Sequence, residues 1–309
     1  MLEYLPIKES DINDLVNLFN TVFKYDNITK ELLREKIFEE KSFLPEANFK
    51  VLQDGELCGF SAGFVRNQGG IITGWIKLLA CEDQSTLGTV TLEVFHKIEN
   101  ILIQNGAKLI RFFDSFPNYY FPGIDPRYTA LITLVETNGY KRQRDNVNMT
   151  VNLNKVPLET SSIEKLLLEK HNIVVRRATE EEYDSILKFI EKEFSLWITE
   201  VSNSYKRIPI AVHIALQNDE VIAFSGYHGN NIGMGWFGPM GTTPTCRGKG
   251  IGGILLKRCL KDLREQRFYE AIIPWVGPIG FYFKEVGAEV SRIFWNYRKE
   301  ISTDTKIAT

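Results

Sequence analysis

Apolar residues recur at helical spacing in two matching places. Ile12, Leu15, Val16, Phe19 and Phe23 follow the short run that starts at Leu5, and Tyr183, Ile186, Leu187, Ile190 and Phe194 follow Val174 and Val175. Steps of three and four residues put each set on one helix face, so each place predicts a short strand leading into an amphipathic helix. Val51 to Ser61 and Ala215 to Ser225 then match, with apolar runs flanking Asp54-Gly55 or Asn218-Asp219. Glycine and short polar residues tolerate positive φ at such turns, which predicts a β-hairpin twice. Gly74-Trp75-Ile76 and Gly235-Trp236-Phe237 open a third matched stretch, each followed by a helix-like segment. Both halves close on an apolar strand, a short helix, a glycine (Gly139, Gly287) and a last strand. The features keep their order, so the chain is an internal repeat of mixed α/β units, each with a central sheet flanked by helices. Between the copies, Asn154 to Ser162 carry turn and N-cap residues, and Ile163 to Glu169 fit a linking helix. Domains of 1–157 and 158–309 are expected.

Length agrees, since 309 residues exceed one ordinary core. With 44% hydrophobic residues there is no deficit of core formers, and disorder is expected only from Thr303 to Thr309. A net charge of -2 from 37 basic and 39 acidic residues gives no field that would gather nucleic acid or an anionic membrane. The N-terminus lacks a basic region followed by an apolar one, and no run approaches the roughly 18 apolar residues of a span. The expectation is a cytoplasmic protein. Cys58, Cys81, Cys246 and Cys259 show no C-x-x-C spacing, which argues against a metal site or a disulfide framework.

The most informative stretch runs from Thr242 through Arg247, Gly248, Lys249, Gly250, Ile251, Gly252 and Gly253 into the apolar Ile254-Leu255-Leu256. A glycine-rich turn opening a helix presents unpaired N–H groups at the positive end of the helix dipole, which suits phosphate oxygens. Arg247 and Lys249 add cations. A plain tight turn is one alternative. A dinucleotide fingerprint is another, since Gly248-x-Gly250-x-x-Gly253 satisfies its spacing, but there an apolar strand should run straight into the first glycine and open the domain. Here Pro244 and Arg247 intervene and a hairpin comes earlier.

Arg247-Gly248-Lys249-Gly250-Ile251-Gly252 resembles the R/Q-x-x-G-x-G/A signature of the GNAT superfamily of acyl-CoA-dependent N-acyltransferases, and the element order of each half is similar to that family. The resemblance implies two tandem GNAT-like domains, each with a mixed, mostly antiparallel sheet. It implies that the amides of Gly248 to Gly253 bind the pyrophosphate of acetyl-CoA and that Met240, Gly241 and Thr242 pair with the pantetheine arm. The weak strand Gly233 to Thr242, rich in glycine and interrupted by Pro239, then marks a bulge beside the ligand. A plain edge strand is the alternative. The activity implied is transfer of an acetyl group to a primary amine on a small molecule or peptide. A non-catalytic acyl-CoA-binding or regulatory module is the alternative.

In that family a tyrosine near the end of the domain protonates the departing thiolate, and Tyr282 is the matching candidate. It lies five residues before Gly287 where the motif usually has four, the place of Phe283; a buried structural tyrosine is the other reading. Glu193, Glu200 and Asp219 read as solvated surface charges, and His213 and His228 as structural histidines. In the first copy, Cys81 to Val90 keep one glycine, Gly88, and set Glu82 and Asp83 where phosphates would sit. No CoA binding is expected there. Phe112, Phe113, Phe116, Tyr119, Tyr120 and Phe121 read as core packing or as the lining of an acceptor pocket.

Overall fold

The computed structural model describes residues 1–301, so the tail from Thr303 lies outside the described residues. The chain divides into two compact units, one of Met1–Asn146 with the chain from Ile293 onward, the other of Val147–Arg292. Where the sequence suggests one cut between 157 and 158, this division falls at two places, inside the strands that close each repeat.

The first unit runs β1 (Leu2–Pro6), α1 (Ile12–Val22), α2 (Lys30–Ile37), β2 (Phe49–Gln53), β3 (Glu56–Gln68), β4 (Ile71–Cys81), α3 (Thr89–Gln104), β5 (Leu109–Phe112), α4 (Thr129–Thr137) and the start of β6 (Lys141–Asn152). The predicted spacing is realised in α1, where Ile12, Leu15, Leu18 and Phe19 are buried, each such side chain contributing about 1.5–3 kcal/mol on burial. Thr29 caps α2 by accepting the Leu32 N–H at 3.2 Å. Phe112, Phe113 and Phe121 are buried, and Phe121 and Phe113 pack on Phe23 at 5.4 and 6.2 Å. Core packing, one of the two readings of that aromatic run, describes these three.

The second unit contains the end of β6, then α5 (Ser161–His171), β7 (Ile173–Arg177), α6 (Tyr183–Phe194), α7 (Ile198–Tyr205), β8 (Val212–Gln217), β9 (Glu220–Tyr227), β10 (Phe237–Thr242), α8 (Ile251–Glu265), β11 (Glu270–Ile273), α9 (Ile279–Val286) and the start of β12 (Glu289–Glu300). The linking helix and both hairpins fall where the pattern puts them. Neighbouring strands pair antiparallel in β1-β2-β3-β4 and in β7-β8-β9-β10. The contacts β4 with β5 and Trp236 with Ile272 are parallel. Each unit is therefore a mixed, mostly antiparallel sheet flanked by helices, as expected.

The closing strands are exchanged. In the first unit β5 pairs with the end of β12, Phe112 opposite Tyr297 through Leu109 opposite Glu300. In the second, β11 pairs with the end of β6, Ile273 opposite Met149 through Glu270 opposite Asn152. Each unit takes its last strand from the other copy's stretch of sequence, so a cut near 158 would part paired strands of both units. A fragment of residues 158–309 lacks the partner of β11 and leaves Ile293–Glu300 without β5. We expect it to show no cooperative thermal transition by circular dichroism while the whole chain does; a sharp transition in the fragment would refute the exchange.

Candidate active site

Two parallel strands that touch once and then part define the site. Trp236 bridges Ile272, and the Ile272 N–H donates to the Gly235 carbonyl at 2.9 Å. Beyond that point, among the described residues, no main-chain pairing joins β10 to β11. On its other edge β10 stays paired with β9, but the register slips between Phe237 and Met240, so Gly238 and Pro239 stand opposite the single residue Gly226. This is the bulge expected from the glycines and Pro239: it turns the strand away from its parallel neighbour and leaves backbone groups from Met240 to Thr242 along an open edge.

The open edge leads through Thr243 and a turn at Pro244–Cys246 to the glycine-rich loop. Gly248 and Gly250 adopt φ of +81° and +82° with open space where a Cβ would stand, so conformation alone selects glycine there. Gly250 is the N-cap of α8, with no side-chain cap bond and no acid in the first turn. The first amides of α8 are thus free of the carboxylate or hydroxyl that usually satisfies them, an arrangement that attracts an anion. Arg247 is exposed and its Nε donates to the Thr242 carbonyl at 3.1 Å, tying the loop to the strand's end. Lys249 lies on the same turn. Gly252 and Gly253 are glycine for another reason. A Cβ at 252 would stand 3.3 Å from Met240 Cε, and one at 253 would stand 2.3 Å from Glu285 Oε2. Glu285 also accepts from Lys257 Nζ at 3.1 Å, joining α8 to α9.

Tyr282 faces inward on α9 with Val286, while Phe283 is 60% exposed. The helix carries no bulge and ends on Gly287 as its left-handed C-cap, so of the two aromatic residues at the motif's spacing Tyr282 is the one turned to the core. The Tyr282 ring meets Phe237 edge-on at 6.2 Å and Phe281 at 5.0 Å. Burial alone pushes its phenol up to about 12, and among the described residues its hydroxyl has no hydrogen-bond partner.

Other polar groups of this unit hold α8 to the sheet. His213 Nε2 lies 2.7 Å from Asp262 Oδ2, which also pairs with Arg177 at 2.8 Å. Burial holds the His213 imidazole below its ordinary pKa against the pull of Asp262. His228 Nε2 meets Gln266 Oε1 at 3.0 Å. Both histidines are structural, as expected. Glu200 is not the surface charge the sequence suggested: it is 6% exposed on α7, on the same face as Ser204. Its charge misled, since burial here comes from α7 packing against Gly226 and Gly229, whose missing Cβ atoms leave room for Ser204 and the Glu200 carbonyl.

Residues 176–283, which contain the bulge, the glycine-rich loop and Tyr282, match the model of the acetyltransferase (GNAT) family. The matched stretch lies wholly within the second unit. No curated protein matches the chain. Among solved structures, the GCN5-related glucosamine N-acetyltransferase region of a fungal multi-domain GH3 β-N-acetylglucosaminidase superposes with a TM-score of 0.80 at 16% identity, over 97% of this chain and 38% of that one. This chain thus spans well under half of that protein. A GCN5-related N-acetyltransferase from Sphaerobacter thermophilus gives 0.69 at 17% over 100% and 98%. A tandem GNAT protein from the clavulanic acid biosynthesis pathway gives 0.67 at 13% over 98% and 100%. These likenesses establish the tandem GNAT fold.

The other GNAT-like unit differs at both corresponding points. Its parallel pair β4–β5 also parts early, after Ile76 opposite Phe112, and its bulge residue is Lys77. Lys77 is buried, with Nζ 2.7 Å from Glu40 Oε2, and Glu40 also pairs with Arg66 at 3.0 Å. Burial brings the Lys77 amine down to about 8. At the head of α3, where the second unit leaves its amides open, the Asp83 carboxylate accepts from Val90 N–H at 2.9 Å, Thr91 N–H at 3.0 Å and Thr91 Oγ1 at 2.6 Å. The acid that the sequence set against phosphate is itself the anion of this helix end. Asp83→Ala should therefore destabilise the protein by about 0.5–2 kcal/mol, the usual cost of a lost cap, measured by urea unfolding. A neutral result would show that these bonds contribute nothing.

Proposed function

We propose that the second unit transfers an acetyl group from acetyl-CoA to a primary amine on a small molecule or peptide. The observation that carries this reading is the continuity of an open strand edge, Met240 to Thr242, with the uncapped first turn of α8. The amides of Gly248, Lys249, Gly250, Ile251, Gly252 and Gly253 and the side chains of Arg247 and Lys249 bind the pyrophosphate. Met240, Gly241 and Thr242 pair with the pantetheine arm, which lays the thioester beside the Gly238–Pro239 bulge.

A backbone N–H near Met240 polarises the thioester carbonyl as the oxygen gains charge. The amine, with a free pKa near 10, first gives up a proton to solvent water and then attacks the carbonyl carbon. A C–N bond forms, the C–S bond breaks, Tyr282 donates its proton to the sulfur, and the proton shed by the new amide nitrogen restores the phenol through water. With its phenol raised to about 12, Tyr282 stays protonated through the neutral range. No covalent enzyme intermediate is needed, because alignment of amine and thioester supplies much of the acceleration. The first unit, whose corresponding helix start is capped by Asp83, takes no cofactor in this reading.

Calorimetry should find one acetyl-CoA site per chain, lost in Gly250→Asp, which sets a carboxylate against the pyrophosphate. No binding to the native protein would sink the reading. Tyr282→Phe should keep acetyl-CoA affinity and lower kcat by about 10²–10⁴-fold, the usual contribution of a positioned proton donor, in a CoA-release assay with a panel of amines. Unchanged turnover would return Tyr282 to a purely structural role, and binding without turnover on any amine would favour a binding module over an enzyme.

A further inference from the structure

The cleft ends at the bulge, because β10 and β11 rejoin at Trp236 and Ile272. An acyl tail longer than acetyl, on a thioester seated there, has to leave the sheet on one face or the other. Successive strand residues point to opposite faces, and at Met240 and Gly241, next to the bulge, both faces of β10 are occupied. On one, Phe237 packs against Tyr282, and Met240 Cε and Phe281 Cζ close on Gly252. The other is floored by Gly241, and the ring of Phe194, at the end of α6, fills the space above it. The position of a Cβ on Gly241 would lie 2.7, 2.8 and 3.0 Å from Phe194 Cζ, Cε1 and Cε2. The ring is held there by a stack on Trp197 at 5.5 Å and 17°, a tilted contact with Phe224 at 5.5 Å and an edge contact with Phe189 at 5.9 Å.

Glycine at 241 thus serves the approach of this ring, and its φ lies outside the left-handed range that would otherwise require it. We propose that Phe194 is the residue that confines the acyl group to a short one, by plugging the glycine-floored route out of the sheet. This inference rests on the reading that the β10 edge receives acyl-CoA. A packed hydrophobic wall separates substrates differing by one methylene by about 10–200-fold. Removing the ring opens a path floored by hydrogen in place of a side chain, so longer chains gain while acetyl, which does not reach the wall, changes little.

The test uses the full-length protein, Phe194→Ala and Phe194→Leu, each checked for a native-like melting transition, with acetyl-, butyryl- and hexanoyl-CoA compared by calorimetry and by CoA release with an amine. Native protein should prefer acetyl-CoA. Phe194→Ala should shrink the gap between acetyl and hexanoyl by at least about tenfold, the low end for one methylene, and Phe194→Leu should fall between. An unchanged ranking in both variants, or an equal loss of all three thioesters from a ring that clamps the arm, overturns the proposal. If the native protein binds none of them, the acyl-CoA reading fails and the inference with it; if it binds acetyl-CoA and the ranking does not move, only the inference fails.

Discussion

Backbone hydrogen bonding between parallel strands is the constraint on which the second unit's site depends. A sheet would ordinarily satisfy both edges of β10, and here it satisfies one. The slip at Gly238 and Pro239 keeps β10 paired with β9 while rotating it off β11, so the fold leaves donors and acceptors exposed along one short edge. Everything else in the candidate site is placed with respect to that edge. The loop continues it, α8 starts where the loop ends, and α9 brings Tyr282 against Phe237 at the edge's beginning. The buried His213–Asp262–Arg177 group fixes α8 on the sheet from the far side. A small error in the seat of that helix would move the open amides away from the strand that leads to them.

The two units start from the same constraint and resolve it in opposite ways. Both part their parallel pair early and both place a helix N-terminus beyond the gap. In the second unit no side chain caps the helix start; in the first, Asp83 accepts from the helix-start amides and the bulge residue Lys77 is buried against Glu40. A helix end capped by its own chain's carboxylate has less to offer another anion. The first unit retains the geometry of the repeat because its strands and its buried aromatic residues require it, independently of any cofactor.

Much of this was legible in the sequence, for reasons that differ by element. The helical spacing in α1 and α6 and the Asp54-Gly55 and Asn218-Asp219 turns are local signals, set by residues a few positions apart. The glycine-rich loop was readable because its chemistry is also local: two positive-φ glycines, two cations and a helix start lie within seven residues. Tyr282 could be named but not oriented, since a spacing one residue off a motif is resolved only by which side of α9 is buried. The exchange of closing strands was invisible, because β6 and β12 have the same alternating pattern whichever copy of β5 or β11 they join. Glu200 and Phe194 were misjudged or passed over for a related reason. Their surroundings are made by glycines more than twenty residues away, and no local pattern records where a missing Cβ will be used.

The exchanged strands also order events in time. The first unit's sheet needs Ile293–Glu300, which the ribosome makes long after Asn146 has emerged, on the order of ten seconds later at ordinary synthesis rates. During that interval the strand β5 has an open edge and the unit has no way to close it. Until Ile293–Glu300 have been made, the first unit lacks a strand of its own sheet.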